Sequence, residues 1–489
     1  MFAVPIEFLV PDAAARWRPL VRDAFDFVFT HLSQARLAPK VAEQMALPAA
    51  TPPAVRLLRL IAKMPALQKL GQVLARNRRL DPALRTALSE LENGMSDATA
   101  SEIRAIIERH LGDRLEKWSV KIDRGILSEA SVSAVMRFTW RNPDRERERA
   151  VFKVLKPFVP DCFAEDLALL EQLGEYLAAP ERNYGFAVRD VAELFTEVRL
   201  LLEHELDFRR EQATLGEAQR AYRSSIGIRV PRVIPQLCTP EITAMSEESG
   251  VKVTEAFPRA PIRRSRIAVQ LIEALIAVPL FSRQKQAVFH ADPHAGNLLY
   301  DETNRELILL DWALAERLDL PTRRHLVMLV LMTITRNPAG VADAVAALAE
   351  SKNRRLIRRE VEHFFDTLPA GHSPGALDAM RLLDRIALHG VRFPAALFLF
   401  RKVLFTLDGV LTDIAGSDIR IDSVMAVSFL TRWLASFGLF HAPLEASELA
   451  SVLWSGITGF ARASRGPTPS HSTKSRRPAK SRRPAPLPR

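Results

Sequence analysis

The spacing of apolar residues changes at about residue 115, and the change separates stretches of different predicted structure. Upstream, apolar side chains recur every three or four positions, which is the period of an amphipathic helix. This pattern predicts helices over residues 54–79 and 82–93. Downstream, apolar and polar residues alternate in short runs, as they do in half-buried strands. The predicted strands cover residues 118–122, 133–140 and 150–155, and a charged hairpin loop covers residues 141–149.

Helical spacing returns after the third strand and predicts helices over residues 162–177 and 188–222. From Arg264 onward the pattern is helical again, apart from one short apolar strand. The remaining predicted strands cover residues 228–234, 241–245 and 306–310. Strands followed by helices, without an internal repeat, predict an α+β fold.

Composition limits the class of protein. A chain of 489 residues is too long for one hydrophobic core, so we expect two or three structural units. Its hydrophobic fraction of 48% and its charged fraction of 26% are typical of a folded soluble protein. Two cysteines cannot form a disulfide framework, which favours a reducing compartment. The N-terminus lacks the pattern of a signal peptide.

No apolar stretch reaches the ~18–20 residues that spanning a bilayer requires. The best runs cover residues 326–334, 433–444 and 449–460. We therefore expect a cytoplasmic protein without a transmembrane helix. Its amphipathic helices are compatible with a peripheral position on the inner membrane.

The net charge of +11 is concentrated at the C-terminal end. Residues 462–489 contain nine Lys and Arg and no acidic residue, which leaves 59 basic and 57 acidic groups elsewhere. This Pro-, Ser- and Arg-rich tail is predicted to be disordered. It either attracts an anionic membrane surface, at ~1 kcal/mol per basic residue, or only aids solubility. The nearly neutral body gives no reason to expect a specific nucleic-acid partner.

The strongest candidate for chemistry is the segment that contains Asp292 and Asn297, with Asp311 fourteen residues later at the end of a predicted strand. Phosphoryl transfer from ATP in kinase-like folds uses this combination of side chains. One carboxylate, here Asp292, orients the attacking hydroxyl or water. An amide and a second carboxylate, here Asn297 and Asp311, hold Mg²⁺ on the phosphates.

Lys153 lies in the middle of a predicted strand. In a kinase-like lobe such a lysine reaches the α- and β-phosphates and needs a carboxylate partner on a helix. The predicted helix over residues 188–222 offers Glu205, Asp207 and Glu211. Asp207 and Glu211 share one face of that helix, but spacing alone does not choose the partner.

Together these features resemble the UbiB family of atypical kinases, the AarF-type, coenzyme-Q-related group. Lys69-Leu70-Gly71-Gln72 matches the family's KxGQ motif, and Glu205-Leu206-Asp207 matches its ExD motif. The resemblance covers about residues 67–318. It implies a protein-kinase-like, two-lobed fold with an N-terminal helical extension and extra C-terminal helices. The implied domains are an extension over 1–114, an N-lobe over 115–250, a mainly helical C-lobe over 251–461 and the tail over 462–489.

The resemblance also implies a role for each matching residue. Asp292, Lys153 and Glu211 are the catalytic residues, with Glu211 paired to Lys153, and Asn297 and Asp311 are the Mg²⁺ ligands. The KxGQ helix folds over the cleft and faces the ExD motif, while a hinge from Met245 to Glu248 contacts adenine through its backbone. The implied nucleotide-binding residues are Ala130, Ser131, Lys153, Met245, Glu247, Lys69, Gln72, Glu205 and Asp207.

Three residues depart from the family pattern. Glu129 places a negative charge near the triphosphate unless its side chain turns outward, which should weaken nucleotide binding. Ala134 stands where a glutamine is usual. Ala313 replaces the glycine of Asp-Phe-Gly, and a positive φ there would cost about 1 kcal/mol. These changes leave metal binding intact and bear on the turnover rate.

The implied function is slow, Mg²⁺-dependent ATP hydrolysis or phosphotransfer that supports the biosynthesis or handling of ubiquinone-type lipids. The expected ligands are ATP and Mg²⁺, and the expected partners are lipid or quinone intermediates and a membrane surface. One alternative is a nucleotide-binding pseudokinase scaffold for membrane-associated enzymes, which the three departures favour. Another is a small-molecule kinase of the aminoglycoside or choline type, which leaves the KxGQ and ExD motifs unexplained.

Overall fold

The structure is a computed structural model, and its described residues fall into two compact units. One contains the chain up to Leu320 together with Ala395–Ala435, and the other contains Pro321–Pro394. The described residues are 7, 10 and 12–435, without 77–81, 83–85, 87, 89–96, 180–183, 185–187, 258, 351–352, 370 and 417–418. The C-terminal tail, the apolar run over 449–460 and most of the predicted helix over 82–93 lie outside them.

The first unit combines helices with three small sheets. Its strands are β1 Lys121–Glu129, β2 Ser133–Arg141, β3 Arg147–Leu155, β4 Ile228–Arg229, β5 Ile242–Ser246, β6 Val251–Lys252, β7 Gln286–His290, β8 Leu298–Asp301, β9 Glu306–Leu309 and β10 Ala315–Asp319. Its first helices are α1 Arg18–His31, α2 Gln34–Ala46, α3 Pro53–Ile61, α4 Pro65–Arg76, α5 Ala100–Leu111, α6 Asp113–Lys117, α7 Val159–Leu177, α8 Val188–Leu206 and α9 Phe208–Tyr222. This mixture confirms the predicted α+β class.

Helices also dominate the C-terminal part of the described chain. In the first unit, α10 Pro261–Ile272 continues through a π-helical turn, Glu273–Ala277, into α11 Val278–Leu280. The later helices are α12 Leu320–Ile334, α13 Pro338–Leu348, α14 Arg354–Thr367, α15 Ala376–Leu388, α16 Ala395–Ala415 and α17 Ile421–Ala435. Among the helices described, none is both long enough and apolar enough to cross a membrane.

One hydrophobic core lies on the sheet with strand order β1-β2-β3-β5, in which every pair is antiparallel. Phe138 and Phe152 stack on one face of it with ring centroids 3.8 Å apart. The strand predicted over 118–122 begins later, at Lys121, because Ser119 has a φ of 49° and ends the preceding helical turn. The hairpin predicted between the second and third strands is present.

Two predicted helices are interrupted, and both breaks have a local cause. The helix predicted over 54–79 divides before Pro65, which cannot donate the hydrogen bond that would continue α3. The helix predicted over 188–222 divides at Asp207, whose Oδ1 accepts a hydrogen bond from the Arg210 N–H at 2.9 Å. Asp207 therefore caps α9, so it does not share a face with Glu211 on a continuous helix.

The two other sheets carry the loops of the candidate site. Strands β4, β9, β8 and β6 form one sheet in that order, and β7 pairs with β10 in the other. The predicted strand over 228–234 shrinks to Ile228–Arg229, and the one over 306–310 ends at Leu309. Four of these strands were not predicted, because each is five residues or shorter and lies among helices.

Candidate active site

Lys153 joins three separate elements of the first unit through its ammonium group. Its Nζ lies 2.6 Å from Glu211 Oε1 on α9 and 3.1 Å from Asp311 Oδ1, which follows β9. The strand β3 places Lys153 between buried apolar neighbours, so the side chain is almost fully buried. Of the three carboxylates that spacing left open, Glu211 is the one that pairs with Lys153.

The pKa values of this group are shifted in directions that preserve the charges of Lys153 and Asp311. Burial alone would lower the pKa of Lys153, but the Asp311 and Glu211 carboxylates outweigh it and raise that pKa. Burial alone would raise the pKa of Asp311, but Lys153 and the Ala313 N–H lower it well below its usual range. For Glu211 burial prevails over Lys153 and raises the pKa to about 7.

His290 holds the loop of Asp292 against the end of β9. Its Nδ1 accepts a hydrogen bond from the Asp292 N–H at 3.2 Å, so its Nε2–H donates to the Leu310 carbonyl at 2.8 Å. Burial lowers the pKa of His290, which favours the neutral ring that this pattern requires. Asp292 and Asp311 are thereby fixed relative to each other.

Asn297 completes the same hydrogen-bonded loop. Its Nδ2 donates to the Asp292 carbonyl at 3.1 Å, and its own carbonyl accepts the Leu310 N–H at 2.9 Å. The structure therefore brings Asp292, Asn297 and Asp311 together, although they span twenty residues of sequence. Because its amide nitrogen is used inside the loop, the amide oxygen of Asn297 is the atom that remains for a cation.

The sequence left open whether Ala313 has a positive φ, and in the structure it does not. Asp311 itself has a positive φ of 50°, while Ala313 is not among the described residues with positive φ. Trp312 is buried beside His290, and its Nε1–H donates to the Leu309 carbonyl at 3.1 Å. The left-handed residue is thus an aspartate, which tolerates this conformation better than most residues do.

A second cluster connects the KxGQ helix to the loop between β1 and β2. Lys69 on α4 forms an ion pair with Glu205 Oε1 at the end of α8. Glu205 Oε2 accepts a hydrogen bond from Ser131 Oγ at 3.1 Å. Gln72 is buried one turn after Lys69 on the same helix. The KxGQ and ExD motifs therefore meet at the loop that contains Ala130 and Ser131, two of the residues implied to bind nucleotide.

The other predicted nucleotide-binding residues lie at the edges of this arrangement. Asp207 is exposed and caps α9, and the Ala130 N–H donates to the Ser133 carbonyl at 2.8 Å in the turn before β2. Met245 pairs with Val151 across β5 and β3. The Glu247 side chain forms ion pairs with two arginines, Arg137 at 2.6 Å and Arg149 at 3.1 Å.

Sequence reasoning missed a buried polar cluster around Lys156. Its Nζ lies 3.0 Å from Glu129 Oε2 and 3.3 Å from Asp97 Oδ1. Asp97 Oδ2 in turn accepts a hydrogen bond from Gln68 Nε2 at 2.7 Å. Glu129 is thus turned toward Lys156, and Ala134 is fully buried in the sheet core. No local pattern pointed to this cluster, because Asp97 is 59 positions from Lys156.

The oxygen ligands present suit Mg²⁺ bound together with phosphates. Among the residues described, no group of three or more His, Cys, Asp and Glu side chains forms a metal cage. Asn297 and Asp311 supply an amide and a carboxylate, and the hydrogen bond from the Leu310 N–H to the Asn297 carbonyl brings their backbones close together. Mg²⁺ commonly binds one or two such protein ligands and completes its shell with water and nucleotide phosphates.

Comparison with known proteins identifies the class to which this fold and site belong. A family model described as "ABC1 atypical kinase-like domain" matches residues 90–345, more than half of the chain. The chain belongs to this ABC1 family of atypical kinase-like proteins, which includes the UbiB relatives. The family assignment confirms both the resemblance to UbiB and the kinase-like fold.

Two curated relatives illustrate the range of the family. "Protein ACTIVITY OF BC1 COMPLEX KINASE 7, chloroplastic" of Arabidopsis thaliana is 26% identical over 357 residues, covering 71% of this chain and 50% of that protein. "Probable protein kinase UbiB" of Haemophilus ducreyi is 29% identical over 242 residues, covering 49% of this chain and 44% of that protein. The chain thus spans about half the length of these relatives.

A likeness also exists to the structure titled "The complex structure of Rv3197-erythromycin from Mycobacterium tuberculosis". The aligned region covers 81% of this chain and 96% of that chain, with 20% identity and a TM-score of 0.46. A similarity this distant supports no inference about ligands.

Proposed function

We propose that this chain is an ATP-binding atypical kinase or ATPase that carries out slow, Mg²⁺-dependent ATP hydrolysis or phosphotransfer. The observation that carries the proposal is the Lys153 ammonium, which contacts Glu211 at 2.6 Å and Asp311 at 3.1 Å. A buried lysine held between a helix carboxylate and a carboxylate beside Asn297 is the arrangement that positions nucleotide phosphates in kinase-like sites.

Each residue of the group has a chemical task under this proposal. Lys153 contacts the α- and β-phosphates, and Glu211 keeps its side chain extended. Asn297 and Asp311 would hold Mg²⁺, which would offset negative charge on the phosphates. Asp292 accepts the proton of the acceptor hydroxyl while the acceptor oxygen bonds to the γ-phosphorus. The bond from that phosphorus to the bridging oxygen breaks, and ADP leaves with the electron pair.

The position of the N-terminal extension limits which phosphoryl acceptors we propose. Lys69 and Glu205 place α4 beside the loop that contains Ser131, where a protein substrate would need access. Water, a lipid or the protein's own side chains are therefore the acceptors we propose. We also propose a role in the biosynthesis or handling of quinone lipids, a proposal supported by membership in the family that includes UbiB.

Phosphate release from ATP by the full chain tests the proposal directly. We expect Mg²⁺-dependent release by the wild type, loss of Mg²⁺ dependence in Asp311→Asn, and a lower rate with retained ATP binding in Asp292→Asn. Release that is unchanged in Asp311→Asn would contradict the assigned metal role. If the wild type and Asp311→Asn both bind ATP and are equally inactive, the chain is a nucleotide-binding scaffold.

A further inference from the structure

A lysine from the C-terminal part of the chain approaches Asp292. Lys402 lies on α16, and its Nζ is 3.6 Å from Asp292 Oδ1. On the other side, His294 Nε2 is 3.7 Å from Asp292 Oδ2. Lys402 is outside the residues 90–345 that match the family model, and its sequence context gave no signal. Both oxygens of the proposed catalytic carboxylate therefore face a basic side chain.

The position of Lys402 is fixed by the packing of its helix within the first unit. Phe400, two residues earlier, is fully buried and packs edge-on against Phe289 of β7 at 5.4 Å between ring centroids. At the other end of α16, Arg264 donates hydrogen bonds to the carbonyls of Asp413 and Ile414 at 2.7 and 2.6 Å. The backbone of α16 is thus anchored at the strand that leads into the Asp292 loop.

The Lys402 side chain is partly exposed to solvent and approaches Asp292 without a short contact. It is one-quarter exposed, and 3.6 Å exceeds the range of a good N–H···O hydrogen bond. A lysine ammonium is a point charge on a flexible four-carbon stem, so it can exchange one anion for another nearby. Lys153, by contrast, is buried and held at 2.6 Å by Glu211.

We propose that Lys402 contacts the terminal phosphate of a bound nucleoside triphosphate, a proposal that rests on the function proposed above. Without nucleotide it forms a loose ion pair with Asp292. When a triphosphate is bound, its ammonium turns to the non-bridging oxygens of the γ-phosphate, where negative charge is concentrated during transfer. Asp292 then accepts the proton of the acceptor. Lys402 makes and breaks no covalent bond.

This role predicts a selective effect that a merely structural lysine would not produce. Lys153 serves the α- and β-phosphates and so contributes to the binding of both ATP and ADP. Lys402 contacts only the γ-phosphate, which ADP lacks. In Lys402→Met we expect ATP affinity to fall ~3–10-fold with ADP affinity unchanged, and the phosphate release rate to fall ~10–100-fold.

The experiment compares four full-length proteins: the wild type, Lys402→Met, Lys402→Arg and the control Lys252→Met. Lys252 forms a similarly loose pair with Glu255 at 3.9 Å, but both side chains are largely exposed and lie outside the proposed site. Affinities for ATP and ADP with Mg²⁺ are measured by calorimetry, and kcat and KM by phosphate release. We expect Lys402→Arg, which keeps the charge, to recover part of the lost ATP preference.

The outcomes separate this inference from the proposed function. If the wild type binds neither nucleotide, the proposed function fails and the inference fails with it. If the wild type binds ATP but Lys402→Met and Lys252→Met behave alike, only the inference is overturned. Equal weakening of ATP and ADP in Lys402→Met also overturns it, because that result would indicate a general effect on the fold.

Discussion

Two lysines, one within β3 and one directly after it, occupy similar surroundings and differ in what they can do. Lys153 lies between Glu211 and Asp311, at 2.6 and 3.1 Å. Lys156 lies between Glu129 and Asp97, at 3.0 and 3.3 Å. Both ammonium groups are buried, and each is paired with two carboxylates that are distant in sequence.

The two lysine clusters differ in how exposed their carboxylate partners are to solvent and ligands. The Asp311 side chain is 40% exposed, so an incoming ligand can reach it. Asp97 is 1% exposed and Glu129 is 12% exposed, so the Lys156 cluster is closed to ligands. A buried, doubly paired lysine therefore does not by itself mark an active site. One exposed carboxylate distinguishes the group that we propose binds phosphate from the group that links Asp97 to the sheet.

Removing the Lys156 ammonium should have the largest effect on stability. Lys156→Met leaves the Asp97 and Glu129 carboxylates buried without their cation. We expect the free energy of unfolding to fall by about 3–5 kcal/mol, measured by chemical denaturation. Phosphate release per folded molecule should be nearly unchanged. Full stability combined with lost activity would reverse the roles assigned to the two lysines.

Lys153→Met should strongly slow the reaction and should destabilise the fold less than Lys156→Met does. We expect phosphate release to slow by ~10²–10³-fold. Because the pKa of Glu211 is raised to about 7, this carboxyl can take up a proton when Lys153 is absent and limit the cost to folding. Thermal unfolding compared with that of Lys156→Met measures the difference. A larger loss of stability in Lys153→Met would contradict the comparison.

Glu129→Gln tests whether this residue, at the end of β1, faces the nucleotide or the closed cluster around Lys156. Since its carboxylate lies at Lys156, we expect a stability loss of about 1–2 kcal/mol. ATP affinity should stay within ~2-fold of the wild type, because no charge near the phosphates is removed. A marked gain in ATP affinity, measured by calorimetry, would show instead that Glu129 repels the triphosphate.

The smallest predicted effect is on pH dependence. Glu211 has a pKa raised to about 7, and Lys153, Asp311 and Glu205 are the charged groups that act on it. It is charged above that pH and neutral below it, so acidification weakens its hold on Lys153. We expect kcat/KM to fall a few-fold between about pH 8 and about pH 6. Glu211→Gln should be slower and flat in this range; the same slope in that variant would assign the titration elsewhere.

The sequence was sufficient for the parts that depend on local pattern and fixed spacing. The strand with Lys153 and the loop from Asp292 to Asn297 were predicted in this way, whereas the meeting of Lys69 with Glu205 was implied only by the resemblance to the UbiB family. The α+β class was predicted as well, because alternating and helical periods are each encoded within a few residues.

What the sequence could not supply depends on contacts between distant segments. Spacing alone did not choose Glu211 over its neighbours, because the helix break at Asp207 changes which carboxylates share a face; only the family resemblance implied that Glu211 is the partner of Lys153. The cluster of Lys156 with Asp97 and the approach of Lys402 to Asp292 join residues 59 and 110 positions apart. Only the folded chain shows such pairs.

The most direct test of the central claim is the Mg²⁺ dependence of ATP affinity, measured by calorimetry on the wild type and Asp311→Asn. If Lys153, Asn297 and Asp311 form a site for Mg²⁺-bound nucleotide, Mg²⁺ should strengthen binding to the wild type by ~10-fold or more. Asp311→Asn should bind ATP with little response to Mg²⁺. An equal response to Mg²⁺ in both proteins would contradict the account.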